Sequence, residues 1–218
     1  MTSRKPLRAD AQRNRETLIA RARELFSEGD ESLRFDDFAQ LAGVGTGTLY
    51  RHFPTREALA AAVLQEETST LSDLARTLGE TLTAGKALET FLRRFVDHID
   101  TNQRLARRLA ALVATADAAT TTAIAHDGDG ESGSDAAHSG RELEQAVAEL
   151  VAAAAQEGAI RDDVPAGAIM MALHGISAAH DRRDWRSEAD DVITLLLDGL
   201  RIQSPKQRSE QVPAHAPE

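Results

Sequence analysis

The chain has 218 residues, 42% of them hydrophobic but only 4% aromatic, with no cysteine and a net charge of −10. That length can bury one large core or two small ones. The absence of cysteine excludes disulfides, thiolate metal sites and a cysteine nucleophile. Bulk acidity argues against a nucleic-acid partner, but the charge is unevenly spread. Residues 1–56 hold ten Arg/Lys against eight Asp/Glu, and the remaining 15 basic and 27 acidic side chains leave the rest of the chain at −12. A basic end on an acidic body is the asymmetry expected where one end meets phosphate, and a solvated charged tail would give the same pattern. Alanine and leucine, both strong helix formers, dominate the apolar set, and no alternating Val/Ile/Thr run suggests a strand. An all-α fold is expected. The N-terminus lacks the apolar run of a signal peptide and no stretch has the length of a membrane span, so a cytoplasmic protein with no membrane partner is expected.

Residues 1–9 (MTSRKPLRA) read as a flexible basic arm. A helix is expected over 10–28, where Leu18, Ile19, Ala22, Leu25 and Phe26 form one apolar face and Gly29 ends it. Arg8, Arg13, Arg15, Arg21 and Arg23 fall off that face, free to meet solvent or a DNA backbone. Two short helices follow, at 35–41 and 46–53, joined by Ala42-Gly43-Val44-Gly45. Helix, short glycine-bearing turn, helix is the layout of a DNA-reading helix-turn-helix. Phe26, Phe35, Phe38, Leu41, Leu49 and Phe53 are expected to be its core. Pro54 stops the second helix and Thr55 can cap the next.

That next helix is expected over 55–78, with Leu59, Val63, Leu64, Leu71, Leu74 and Leu78 as its apolar stripe, and a break from Gly79 to Gly85. Helices at 86–100 and 103–119 come next. Residues 120–140 are small and polar, and their centre, 127–135, reads as a flexible loop. Helices at 141–156, 166–180 and 187–202 complete the pattern, about nine in all, before a disordered polar tail at 203–218.

Phe38-Ala39-x-x-Ala42-Gly43-Val44-Gly45-x-Gly47-Thr48-Leu49-Tyr50-Arg51-His52-Phe53-x-x-Arg56-Glu57-x-Leu59 resembles the DNA-binding signature of the TetR (tetracycline repressor) family. The resemblance covers residues 10–60, with two departures: Gly45 stands where the family commonly has Ser, and Thr46 where it often has Lys. It implies an N-terminal three-helix DNA-binding domain over residues 1–56 and a helical ligand-binding and dimerisation domain over 57–202. The stretches LRRFVDHI, EGAIRDDV and LLLDGLR resemble a branch of bacterial regulators within it. By the same resemblance Tyr50, His52 and Arg56 match phosphate-binding positions, and the helix carrying Gly47 enters the major groove. Gly47 lets the backbone approach DNA closely. Thr46, Thr48 and Arg51 are the candidates for base edges, and Arg34 for phosphate or a neighbouring base. The expected function is a transcriptional repressor, released from its operator by a small-molecule effector.

The expected partners are therefore duplex DNA with a near-palindromic operator, an unknown effector and a second copy of the chain. The last two helices would pair with their mates as a four-helix bundle, with Gly175 allowing close approach. Phe91, Phe95, His98, Leu109, Leu112, Met170 and His174 are candidates for lining an effector cavity, although such residues are more often plain core. His98, His126, His138, His174 and His180 lack a ligand spacing such as HxxxH, and no metal site or cofactor is expected. No nucleophile-elbow, phosphate-loop or dinucleotide motif occurs, so no enzymatic chemistry is expected. The alternative reading is a helical ligand-binding or protein-interaction module that does not bind DNA; it requires Tyr50 and His52 to turn inward.

Overall fold

The structure, a computed structural model, describes residues 5–29, 33–105, 109 and 131–202. Every regular element among the described residues is helical: α1 Lys5–Glu28, α2 Phe35–Leu41, α3 Thr46–His52, α4 Arg56–Thr81, α5 Ala84–Thr101, α6 Glu131–Gln156, α7 Ala166–Ala178 and α8 Trp185–Leu200. Of the helix expected at 103–119, only residues 103–105 and 109 are described, and they are helical. Leu112, the centre of the expected loop up to residue 130, and the tail from 203 lie outside the described residues.

Three boundaries differ from expectation by three residues or more. Helix α1 begins at Lys5, within the expected arm, because Pro6 sits in its first turn, where no backbone N–H is needed. Helix α4 runs through Gly79 to Thr81, and the connection to α5 shrinks to Leu82 and Thr83. A lone glycine weakens a helix without ending it, and a Cβ at Gly79 would stand only 3.2 Å from Leu150 Cδ2. Helix α6 already starts at Glu131, so residues 131–140 are helical despite their loop-like composition.

The chain divides into two compact units, residues 1–74 with 97–145 and residues 75–96 with 146–218. In the first, the predicted face of α1 (Leu18, Ile19, Ala22, Leu25, Phe26) packs with Phe38, Leu49, Phe53, Leu59 and Val63 into one core, joined by Leu105 and Leu109. Phe26 and Phe38 meet with ring centroids 5.2 Å apart. Leu41 does not join them; it is 45% exposed. The end of α2 explains this. Val44 N–H donates to the Ala39 carbonyl at 2.9 Å and Gly43 N–H to that of Gln40 at 3.1 Å. This Schellman pairing, with Gly43 at φ +69°, folds Val44 against the core in place of Leu41. Leu64 of the expected α4 stripe is likewise exposed.

In the second unit, α5 buries Leu88, Phe91, Leu92 and Phe95, α6 buries Val147, Leu150 and Val151, and α7 buries Ile169, Met170, Leu173 and Ile176. Close approach of small residues brings α5 to the end of α6. A Cβ at Gly85 would lie 2.6 Å from the Cβ of Ala159, and Ala84 N–H donates to the Glu157 carboxylate at 2.9 Å. The indole N–H of buried Trp185 donates to the Ile176 carbonyl at 2.6 Å, closing the turn between α7 and α8.

Candidate nucleic-acid interface

Helix α3 has seven residues, too few for stability on its own. It is held by Leu49, which is fully buried, and by Phe53, whose backbone N–H donates to the Leu49 carbonyl at 2.7 Å. At the other end Gly45 is the N-cap, with the Thr48 N–H donating to its carbonyl at 2.8 Å. A short helix with its apolar side anchored leaves its remaining side chains free. Thr46, Gly47, Tyr50 and Arg51 are exposed, and Thr48 and His52 are half-buried.

Gly47 occupies ordinary helical backbone, and a Cβ there would meet nothing within 4 Å. Glycine costs a helix about 0.5–1 kcal/mol relative to alanine. Nothing inside the described protein requires it, unlike Gly43, whose positive φ does.

Tyr50 is 49% exposed and stands edge-on to Phe35, with ring centroids 5.4 Å apart at 87°. A hydrogen bond to Asp36, with lesser contributions from burial and from that residue's charge, raises the phenol pKa. Tyr50 is therefore a neutral hydroxyl donor throughout the physiological range. His52 is pushed the other way. Burial, then the charges of Arg15 and Arg51, lower its imidazole pKa. The backbone N–H of Arg34 donates to Asp37 Oδ2 at 2.7 Å and starts α2, while its guanidinium stays out in solvent, 4.0 Å from Asp36.

Arg56 has a role that sequence reasoning missed. Its Nη1 donates to the Leu33 carbonyl at 2.9 Å, and its guanidinium lies over the rings of Phe26 and Phe38, 5.7 and 5.3 Å from their centroids. It ties the start of α4 to the segment entering α2. Thr55, as expected, caps α4, its Oγ1 accepting from the Ala58 N–H at 3.1 Å. Arg15, expected off the apolar face of α1 and free to meet solvent or a DNA backbone, instead stands at the edge of that face against Phe53. Its guanidinium lies 5.4 Å from the centroid of Phe53. The available signal was its phase: Arg15, Ile19, Ala22 and Phe26 recur at i, i+4, i+7 and i+11.

A third feature joins α1 to the rest of the first unit. Glu67, nearly buried on α4, pairs with Arg23 of α1 and accepts from His98 Nε2 of α5 at 3.2 Å. Burial alone would raise the Glu67 pKa, but the His98 hydrogen bond and the Arg23 charge outweigh it and lower the pKa. Asn102 completes the cluster, donating to the His98 carbonyl at 3.0 Å.

The proposed cavity residues are spread over both units. Phe91, Phe95 and Met170 are buried in the second unit, while Leu109 is buried and His98 half-buried in the first. His174 is exposed to solvent, because α7 buries Ile169, Leu173 and Ile176 and His174 falls beyond the edge of that face.

Two family profiles match. Residues 18–63 match the bacterial regulatory proteins of the tetR family, and residues 83–202 match the transcriptional regulator SbtR-like C-terminal domain. Among solved structures, the TetR transcriptional regulator SCO0520 of Streptomyces coelicolor is 35% identical, with 87% of this chain and 99% of that one covered at a TM-score of 0.61. A TetR transcription regulatory protein of Mycobacterium vanbaalenii is 29% identical, with 90% and 100% covered at a TM-score of 0.62. The HTH-type transcriptional regulator SAR0097 of Staphylococcus aureus is 32% identical over 62 residues, which are 28% of this chain. The chain spans about a third of the length of such curated relatives (32% for SAR0097). With the helix-turn-helix head matched at one end and the regulatory body over most of the rest, the chain belongs to the TetR family of bacterial transcriptional regulators.

Proposed function

We propose that the protein is a homodimeric cytoplasmic repressor that reads a near-palindromic operator with α3 and is released by a small-molecule effector. The observation that carries this reading is the outer face of α3. Thr46, Gly47, Tyr50 and Arg51 are exposed on a helix anchored from behind by Leu49. Arg51 can bond guanine bidentately, Thr46 and Thr48 offer hydroxyls and methyls, and Gly47 offers bare backbone. Tyr50, His52 and the exposed Arg34 flank this strip as phosphate donors. The alternative module without DNA binding needs Tyr50 turned inward, whereas it is 49% exposed.

Dimerisation is assigned to α7 and α8. Met171 and Leu195 are 75% and 71% exposed, and Gly175 has open space where a Cβ would stand. Open apolar grooves of about 310 and 360 Å³ run along this face, both bordered by Val192. A second copy would cover it by two-fold symmetry and set the separation of the two heads. Effector binding is assigned to the apolar interior around Phe91, Phe95 and Met170. An effector that prefers a head spacing unmatched to the groove lowers DNA affinity by its own differential affinity for the two states.

The test is a gel shift with DNA from upstream of the gene, over a salt series. A specific complex that weakens steeply with salt is expected. Absence of a specific complex would refute the proposal.

A further inference from the structure

We infer that Arg15, on α1 and outside the helix-turn-helix, is a DNA phosphate contact, held in place by Phe53 beside His52. The inference rests on the DNA-reading role of the head.

Most arginines of the head have an intramolecular partner for their charge. Arg13 pairs with Asp10, Arg21 with Glu24 and Arg23 with Glu67. Arg34 lies within reach of Asp36, and Arg56 is bound to the Leu33 carbonyl. Among the described residues Arg15 and Arg51 have no carboxylate partner.

The charges of both act on His52. The Arg15 guanidinium stacks on Phe53, the C-cap of α3, and the rings of Phe53 and His52 lie 6.2 Å apart. Arg51 and His52 form the last turn of α3. Arg15 from α1 thus joins Arg51 and His52 at the C-terminal end of the recognition helix, with no acidic neighbour among the causes that act on His52. Burial is the largest cause of the lowered His52 pKa, and the positive field of Arg15 and Arg51 adds to it. Such a field is unfavourable in the free protein and is relieved by an anion. The end of a helix lying in the major groove is flanked by the sugar-phosphate backbone, which supplies that anion. Phe53, fixed in the core, fixes the guanidinium by a cation–π contact, so little side-chain freedom is lost on binding.

The test measures affinity for one DNA duplex against salt concentration, with the full-length protein and three variants. Arg15→Gln is expected to make the slope of log K against log salt shallower by about one, with a similar proportional loss on every sequence. Arg15→Lys, which keeps the charge, is expected to restore the slope. Arg13→Gln, whose charge Asp10 already takes, is expected to leave it unchanged. If Arg15→Gln weakens binding without changing the slope, Arg15 only packs on Phe53 and the inference fails. It also fails if Arg13→Gln lowers the slope equally, or if Arg15→Lys does not restore it. Should Arg15→Gln not fold, Arg15→Met, which keeps an apolar chain against Phe53 without the charge, is expected to make the slope shallower by the same amount, and an unchanged slope there overturns the inference. A wild-type protein with no salt-dependent binding would instead refute the DNA reading itself.

Discussion

The guanidinium of Arg56 donates to the carbonyl oxygen of Leu33 at 2.9 Å while lying over the Phe38 ring. One side chain thus fastens three parts of the head, and the position matched to a phosphate contact has a folding role as well. Arg56→Ala is expected to destabilise the protein by about 1.5–3 kcal/mol, the range for a hydrogen bond made by a charged group. Thermal or urea unfolding checks this. If stability is unchanged while DNA affinity falls, Arg56 acts on phosphate alone.

Gly47 separates helix stability from DNA affinity. Gly47→Ala fills space that is empty for at least 4 Å, on regular helical backbone. The variant is expected to be more stable by about 0.5–1 kcal/mol. It is also expected to bind DNA more weakly by on the order of tenfold, about 1.4 kcal/mol, because the added methyl meets the duplex. Denaturant unfolding and fluorescence anisotropy measure the two effects. A variant with unchanged DNA affinity would show that the backbone at Gly47 does not approach DNA.

The Glu67–Arg23–His98 cluster gives a pH dependence with a definite sign. Because the folded-state pKa of Glu67 lies below its ordinary value of 4.5, its contribution to stability is present above that value. It is lost as pH falls through the folded pKa. Glu67→Gln is therefore expected to cost about 1.5–3 kcal/mol near neutrality and to flatten the loss of stability below about pH 4.5. Unfolding curves from pH 3 to 7 test this. An undiminished acid transition in the variant would place the titrating group elsewhere.

How much of this was legible in the residues depended on whether the signal was local. Helices α2 and α3 were read to within a residue because Gly43 and Pro54 punctuate them. The apolar face of α1 followed from its periodicity alone. The reach of α4 past Gly79 did not, because it reflects packing against Leu150 of another helix. Leu41, Leu64 and His174 had suitable spacing, but helix phase and a Schellman turn placed them outside. The second role of Arg56 and the partner of His98 arise from residues at least 18 positions away, a separation no periodicity encodes.

The face formed by α7 and α8 yields a prediction about assembly. Met171→Asp with Leu195→Asp puts two charges on its most exposed apolar side chains. The double variant is expected to weaken self-association by at least about a hundredfold, since burying an unpaired charge is costly. Sedimentation velocity reads the change. An unaltered dimer would move the interface to another surface.

The central claim is that two copies of α3 read one symmetric sequence. Selection of the full-length protein against a library of randomised duplexes tests it most directly. The expected result is enrichment of a near-palindrome whose half-sites lie about 34–36 Å apart, or a multiple of that spacing, with Arg51→Ala relaxing the preference within each half-site. Recovery of no sequence above the random background, or of a single asymmetric site unaffected by Arg51→Ala, would contradict it.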